Sequence, residues 1–332
     1  MTEKEIQNKL IKLFERYFFE KVIAIKRIKG GVSDRIVYKI NSKNYVCTGV
    51  HNSKLKENIA FIEFSKSLKD AGFNVPEIYS VKNDYDFYIE EYVGDKSLFD
   101  LTKNNEISAD KKLSLYKKAI SDLALIQTGG NKVIDYRLCY ETEEFNSKQI
   151  IFDFTKFHNF YLRKLAGIRL SIIGTSLIIN LISKKLLKEK KLFFMYRDFQ
   201  PRNIMLNDES LYYIDYQSGR KGPLQYDIAS FLYSGSIDIE EKGRKELLNY
   251  YIKEISKHVK VNADKFKSSF YYFAFIRLIQ VLGSYGYVYE KNRDKNIFNK
   301  INKALKNIDS IKDNLEEKVL KDFADEITSK TF

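Results

Sequence analysis

Tryptophan is absent from this chain, and proline, cysteine, histidine and methionine occur two or three times each. Two cysteines, Cys47 and Cys139, cannot build a disulfide framework, and no Cys/His spacing has the form of a zinc site. Thiolate-held metal is thereby excluded, and a reducing cytoplasm is the expected compartment. His51, His158 and His258 show neither nucleophile nor ligand spacing and are assigned no role. The start, Met1-Thr2-Glu3-Lys4-Glu5, is charged and lacks an apolar run with a small-residue cleavage site, so no signal peptide is expected. The most apolar stretch, 170–183, is interrupted by Gly174, Thr175 and Asn180 and falls short of the roughly twenty residues a bilayer requires. It reads as a buried helix, and no membrane partner is expected. No low-complexity linker and no fixed-period repeat is visible.

What is present is apolar surface. Hydrophobic residues make up 44% and aromatics 14% of 332 residues, enough for sizeable cores and too long for one core to be the prior, so two lobes are expected. The formal charge of +13 favours anionic partners in general. Abundant Lys, Ile, Asn, Tyr and Phe beside absent Trp also fit drift toward AT-rich codons. No block of clustered Lys and Arg with interleaved aromatics marks a nucleic-acid footprint, and no nucleic-acid partner is expected.

Thr2 and Glu5 form a capping box ahead of Ile6, Leu10, Phe14, Tyr17 and Phe18 at helical spacing, so an amphipathic helix opens the chain. Three β-rich runs, 22–28, 35–40 and 45–50, are divided by Gly30-Gly31 and Asn41-Ser42 and predict an antiparallel meander. A helix over 56–71 stopping at Gly72, then strands over 75–79 and 87–93, complete an N-terminal lobe, 1–93. Gly94-Asp95 breaks the chain and opens a C-terminal lobe, 94–332. From Ser97 the periodicity is helical except for short runs at 192–195, 204–206 and 211–214, and the last helix, near 315–328, has the mixed charges of a solvated face.

Those short runs enclose Tyr196-Arg197-Asp198-Phe199-Gln200-Pro201-Arg202-Asn203 and Ile214-Asp215-Tyr216. Moving a phosphoryl group asks a protein for an oriented hydroxyl and for metal ions bridging the phosphates. An Asp can accept the hydroxyl proton, while an Asn and a second Asp offer Mg²⁺ the hard oxygens it prefers. Arg197-Asp198 followed by Asn203 has the spacing for the first two, and a hairpin through the turn 207–210 returns Asp215 beside Asn203. Taken singly, Asp198 and Asp215 read equally well as turn residues and Asn203 as a cap. The full pattern in its strand, turn and strand context sets them apart.

With Gly222-Pro223-Leu224-Gln225-Tyr226-Asp227 behind it, this segment resembles the aminoglycoside phosphotransferase and choline kinase superfamily. Within it, Arg197 to Asn203 and Ile214 to Gln217 most resemble the bacterial anomeric sugar kinases of the N-acetylmuramate and N-acetylglucosamine type. A weaker likeness runs from Gly30-Gly31 to at least Leu232. The resemblance implies an α+β, bilobal protein-kinase-like fold: an antiparallel-sheet N-lobe that binds nucleotide, and a mainly helical C-lobe with the catalytic loop and acceptor site. It implies ATP and Mg²⁺, Asp198 as catalytic base, and Asn203 and Asp215 as metal ligands. Asp227 becomes a structural acid tying the loop to the helix behind it, or else an ordinary first-turn residue.

The triphosphate grip is less determined. Gly30, Gly31 and Ser33 lie between two strands, where the pattern fits either a phosphate loop or an ordinary hairpin. The superfamily's lysine on the third strand is missing from Tyr45 to Gly49, a gap shared with the sugar-kinase branch. Arg35 and Lys39, which share a strand face, are the candidate substitutes unless that face is simply solvated, and Glu57 either orients such a cation or favours its helix N-terminus. Glu91 and Tyr92 fall in the hinge, whose backbone would bond adenine. Tyr196 stands where many relatives carry His and supports the loop. For the acceptor, Asp153 in a helix opened by Ile151-Phe152-Asp153-Phe154 binds substrate hydroxyls or caps the helix, and Arg202, facing the same region, contacts the acceptor or pairs with a carboxylate. The expected activity is phosphorylation of a hydroxyl on a small molecule, a sugar or amino sugar first; an aminoglycoside or choline-type kinase, or a non-catalytic nucleotide-binding pseudokinase, are the alternatives.

Overall fold

The computed structural model describes residues 1–28, 35–103, 107–330 and 332. Helix α1 (Glu3–Phe18) begins on the expected box: the Thr2 hydroxyl accepts from the Glu5 N–H, and the Glu5 carboxylate accepts from the Thr2 N–H at 2.9 Å. Strands β1 (Ala24–Ile28), β2 (Ile36–Asn41) and β3 (Val46–His51) form the meander, helix α2 (Leu55–Asp70) follows, and β4 (Ile78–Val81) and β5 (Phe87–Glu91) complete a wholly antiparallel sheet in the order β1-β2-β3-β5-β4. The fourth strand starts at Ile78 rather than Val75.

Alternation along this sheet gives it two unlike faces. Tyr38 and Ile40 of β2, Cys47 of β3 and Phe87 and Ile89 of β5 pack against Ile6, Leu10 and Phe14 of α1 in a core of their own. Val50 and Tyr88, on the other face, join Ala60, Phe61 and Phe64 of α2 in a second core that continues through the rest of the chain. The α+β, two-lobed reading therefore holds, and the α2 face is the one turned toward the catalytic segment.

Past Gly94 come β6 (Lys96–Ser97), α3 (Leu98–Thr102), α4 (Ala109–Gly130), α5 (Ser147–Phe157) and α6 (Ile172–Leu186). The strands β7 (Phe193–Met195), β8 (Ile204–Asn207), β9 (Ser210–Tyr213) and β10 (Arg220–Gly222) frame the motif, and α7 (Gln225–Leu232), α8 (Glu241–Ile255), α9 (Ala263–Asn292), α10 (Ile297–Ile311) and α11 (Lys318–Thr328) finish the chain. Gly94 takes φ +105°, and a Cβ there would meet the Leu206 carbonyl oxygen at 2.6 Å, so only glycine lets the chain cross β8 at this point.

Three sequence readings are corrected here. The helix carrying Asp153 opens at Ser147 on an Asn146 cap, so Asp153 is a buried mid-helix residue and not a cap. Helix α6 buries Ile178, Ile182 and Leu186 but leaves Ile172 and Ile173 almost fully exposed, so it is a one-sided surface helix. Helix α11 buries Leu320, Phe323, Ala324 and Ile327, an apolar stripe that its mixed charges had masked. Among the described residues no helix is long and apolar enough to cross a membrane.

Helix α9 lies against α5 and the nine-residue π-helical segment His158–Ala166 that extends it. A Cβ on Gly283 would stand 2.7 Å from the Phe157 nitrogen, and one on Gly286 would stand 2.7 Å from Phe160 backbone atoms. Backbone cannot yield as a flexible side chain does, so Gly286→Ala should destabilise the protein by about 1–3 kcal/mol through overpacking. The expected observation is a thermal midpoint several degrees lower, whereas Gly174→Ala, which meets only the Ser171 hydroxyl at 3.3 Å, should leave it nearly unchanged.

Candidate active site

The catalytic segment is an irregular turn hung between paired strands. Strand β7 pairs antiparallel with β10, and the hairpin β8–β9 pairs Ile204 with Tyr213, so the two ends of the motif are brought together by backbone. The Ile214 N–H donates to the Asn203 carbonyl at 3.0 Å, which sets Asp215 next to Asn203. Arg197 and Asp215 have φ of +80° and +70°, a region that costs a non-glycine residue of order 1–3 kcal/mol and persists only when its surroundings enforce it.

Asp227, on the first turn of α7 and wholly buried, supplies that enforcement. One carboxylate oxygen accepts from the Tyr196 N–H and the other from the Arg197 N–H, both at 2.8 Å, and Gln127 of α4 donates to it at 3.0 Å. Of the two sequence readings, the structural acid describes these contacts. Tyr196 is buried and its hydroxyl donates to the Ile214 carbonyl, so this tyrosine fastens the catalytic turn to the residue preceding Asp215.

Around Asp215 three donors converge. Its Oδ1 accepts from Arg35 at 3.3 Å and from Gln217 at 2.8 Å, and its Oδ2 accepts from the Asn203 amide at 3.3 Å. That same Asn203 amide nitrogen donates to the Asp198 carbonyl at 2.9 Å, so its oxygen is not used by these bonds. The protein walls push the Asp215 carboxyl above its ordinary range, Arg35 opposes that, and the neighbouring Asp198 adds to it. Asp198 is held through Oδ1 by Arg277 of α9 at 2.9 Å, while its Oδ2 has no partner among the described residues.

The two substitute cations separate. Arg35 bridges Asp215 and, at 3.1 Å, Glu57 of α2. Lys39 sits roughly 13 Å further along the same strand face by the usual rise per residue. Its ammonium lies 4.0 Å over the Tyr92 ring and reaches Asp95 at 3.1 Å. Glu91 has its carboxylate on Lys69 at 2.8 Å and its backbone N–H on the Glu77 carbonyl. Gly30, Gly31 and Ser33 lie outside the described residues.

Arg202 and Asp153 do not share surroundings, contrary to the sequence reading. Arg202 stacks 4.5 Å over the Phe99 ring and donates to Ser236 at 2.7 Å. Asp153 instead accepts from Gln149 and faces Arg197 at 3.7 Å, below the catalytic turn. Arg277 escaped sequence reading because it stands 79 positions from Asp198 in a helix without a motif. Gln127, 100 positions from Asp227, escaped for the same reason.

Burial pushes the Asp227 carboxyl up to about 7 from 3.8, against the pull of its donors. The native state thus holds a proton that the unfolded chain releases earlier, so this contribution to stability is full below about pH 4 and is lost as pH rises through about 7. Asp227→Asn leaves one backbone N–H unpaired and should cost about 1–3 kcal/mol at pH 4.5. Urea unfolding over a pH series is expected to show the gap between wild type and variant narrowing toward pH 7.

The profile of the phosphotransferase enzyme family matches residues 24–258. No curated protein matches the chain. Among solved structures, the chain is similar to the amicoumacin kinase hAmiN in complex with AMP-PNP, Ca²⁺ and Ami (TM-score 0.66, 11% identity, 99% of this chain and 97% of that one). It is similar to choline kinase LicA from Streptococcus pneumoniae (TM-score 0.60, 17% identity, 93% and 99%) and to spectinomycin phosphotransferase APH(9)-Ia in complex with ADP and spectinomycin (TM-score 0.56, 13% identity, 97% and 98%). At these identities the structures speak for the fold, while the profile spans the sheet, the catalytic turn and α7; the chain belongs to the phosphotransferase enzyme family and is a small-molecule kinase.

Proposed function

We propose that this enzyme uses ATP and Mg²⁺ to phosphorylate a hydroxyl of a sugar-like small molecule, with Asp198 as base and Asn203 and Asp215 as the metal ligands. The observation that carries the reading is the convergence of Arg35, Asn203 and Gln217 on the Asp215 carboxylate, 17 positions past an Asp198 whose Oδ2 is open.

The donor set suits Mg²⁺. It offers the Asp215 carboxylate, the unused Asn203 amide oxygen and the Gln217 Oε1, which is buried without a partner among the described residues. Among those residues no group of three His, Cys, Asp or Glu side chains gathers, so the remaining ligands would be phosphate oxygens and water. Mg²⁺ when bound would neutralise charge on the transferring group. Arg35, anchored by Glu57, supports the triphosphate from the sheet side, and the amicoumacin kinase's nucleotide analogue and cation are consistent with such a site.

Asp198 acts on the acceptor. Arg277 fixes Oδ1, so Oδ2 takes the hydroxyl proton as the acceptor oxygen bonds to the γ-phosphorus and the bond from that phosphorus to the β–γ bridging oxygen breaks, releasing ADP. In this reading the hinge backbone at Glu91 and Tyr92 would bond adenine, with Lys39 held beside it on the Tyr92 ring. Support for a sugar comes from the flanks Pro201-Arg202 and Gln217. The folds shared with choline and antibiotic kinases leave cationic acceptors as the second reading.

Asp198→Asn should lower kcat by roughly 10²–10⁴ while nucleotide still binds. Near-wild-type turnover in that variant, measured by ADP release over hexoses, amino sugars, N-acetyl sugars, choline and aminoglycosides, would overturn the assignment. Asp215→Asn should raise the Mg²⁺ concentration needed for half-maximal turnover, read from a magnesium titration at saturating ATP.

A further inference from the structure

Beside the catalytic turn lies a cleft of about 790 Å³ that none of these roles uses. Its volume is in the range of ligand pockets, about 300–1,000 Å³. Its lining joins α3, α4, α8 and α10, and its charge is one-sided: Lys103, Lys112, Arg244, Lys303 and Lys306 against Asp238. Phe99 and Ser236 belong to the same wall, and these are the residues on which Arg202 stacks and hydrogen-bonds. The cleft wall therefore adjoins the Arg202 side chain, four positions after Asp198 in the chain.

Surface lysines alone would say little. Arg244 says more, because it is 8% exposed and its Nε has no hydrogen-bond partner among the described residues. Its other contacts are weak: Glu241 at 3.6 Å and the Tyr233 ring at 4.7 Å. A buried guanidinium with an idle N–H is unfavourable unless something satisfies it. Burial lowers the Lys303 pKa, Asp238 opposes this, and Arg244 adds to it. Among the described residues Lys303 hydrogen-bonds only the Gly235 carbonyl, at 3.1 Å. Lys103 is paired with Asp100 at 2.8 Å, while Arg244, Lys303 and Lys306 have only Glu241 and Asp238 against them among the described residues, an excess of positive charge that an incoming anion relieves.

Resting on the kinase reading above, we propose that the acceptor is itself anionic: a hydroxyl-bearing small molecule whose phosphate or carboxylate group is held in this cleft by Arg244, Lys303 and Lys306. The charged end anchors the molecule along Phe99 and Arg202, and its free hydroxyl lies toward Asp198. Such a pocket rejects choline and polycationic antibiotics by like charge.

Matched acceptors test this: glucose 6-phosphate and glucuronate against glucose, glycerol 3-phosphate against glycerol, and choline as the cation. Coupled ADP release should favour the anionic member of at least one pair by roughly ten- to hundredfold in kcat/KM, the phosphate and carboxylate arms telling which group is read. In Arg244→Gln, and in the milder double variant Lys303→Gln/Lys306→Gln should Arg244→Gln fail to fold, that preference should collapse through a higher KM. Independently of turnover, glucose 6-phosphate or glucuronate should raise the thermal midpoint of the wild-type protein and not that of the double variant, whereas glucose should shift neither. Equal use of neutral or cationic acceptors, or preference and thermal shifts untouched by the substitutions, would overturn the anionic assignment while leaving the kinase reading standing. The fall in kcat of roughly 10²–10⁴ expected of Asp198→Asn tests that reading separately.

Discussion

The catalytic turn depends on one buried carboxylate. Asp227 accepts two consecutive backbone N–H groups, and the second of them belongs to Arg197, which stands in left-handed backbone. Without an acceptor on each side, those N–H groups would be buried and unpaired, and the turn would relax toward a less strained path. Asp198, Asn203 and, through the Tyr196 hydroxyl, Asp215 all take their places from that turn. A buried acid at the start of α7 thus decides where Asp198, Asn203 and Asp215 stand.

A second dependence runs across the lobes. Arg35 reaches from the edge of β2 to both Glu57 and Asp215, so sheet, α2 and the turn at Asp215 share one cation. The Phe61 ring stacks on Tyr216 at 5.1 Å, and the Ser65 and Tyr216 hydroxyls are 2.6 Å apart, which ties α2 to the same turn by apolar and polar contacts. Glu57 is thus paired from beside β2, and β3 carries no lysine.

What could be read in the sequence was local or periodic. The meander, the capping box and the hairpin that returns Asp215 to Asn203 follow from short-range rules, and the structure has them. Strand β4 slipped by three residues because its apolar run carries no sharp stop, and the Asn146 cap was hidden behind a stronger aromatic pattern downstream. Arg277 and Gln127 were invisible in principle: each meets its partner across a long loop of chain, and a lone Arg or Gln in a helix has no spacing to announce it. The choice between Arg35 and Lys39 likewise needed the position of α2, since both lie on one strand face and only one end of that face meets Glu57.

The two faces of the sheet have a further consequence. The core under α1 is closed on itself, whereas the one under α2 is continuous with the helices. Elements that share few apolar neighbours with the rest can open as a separate cooperative unit at lower free energy. Slow amide exchange would then divide along the plane of the sheet rather than along the chain: α1 would exchange by its own partial opening, while α2, though sequence-adjacent to the same strands, would be protected together with the catalytic turn. Wear on the outer helix, by proteolysis or substitution, would be insulated from the chemistry by a single layer of β-structure.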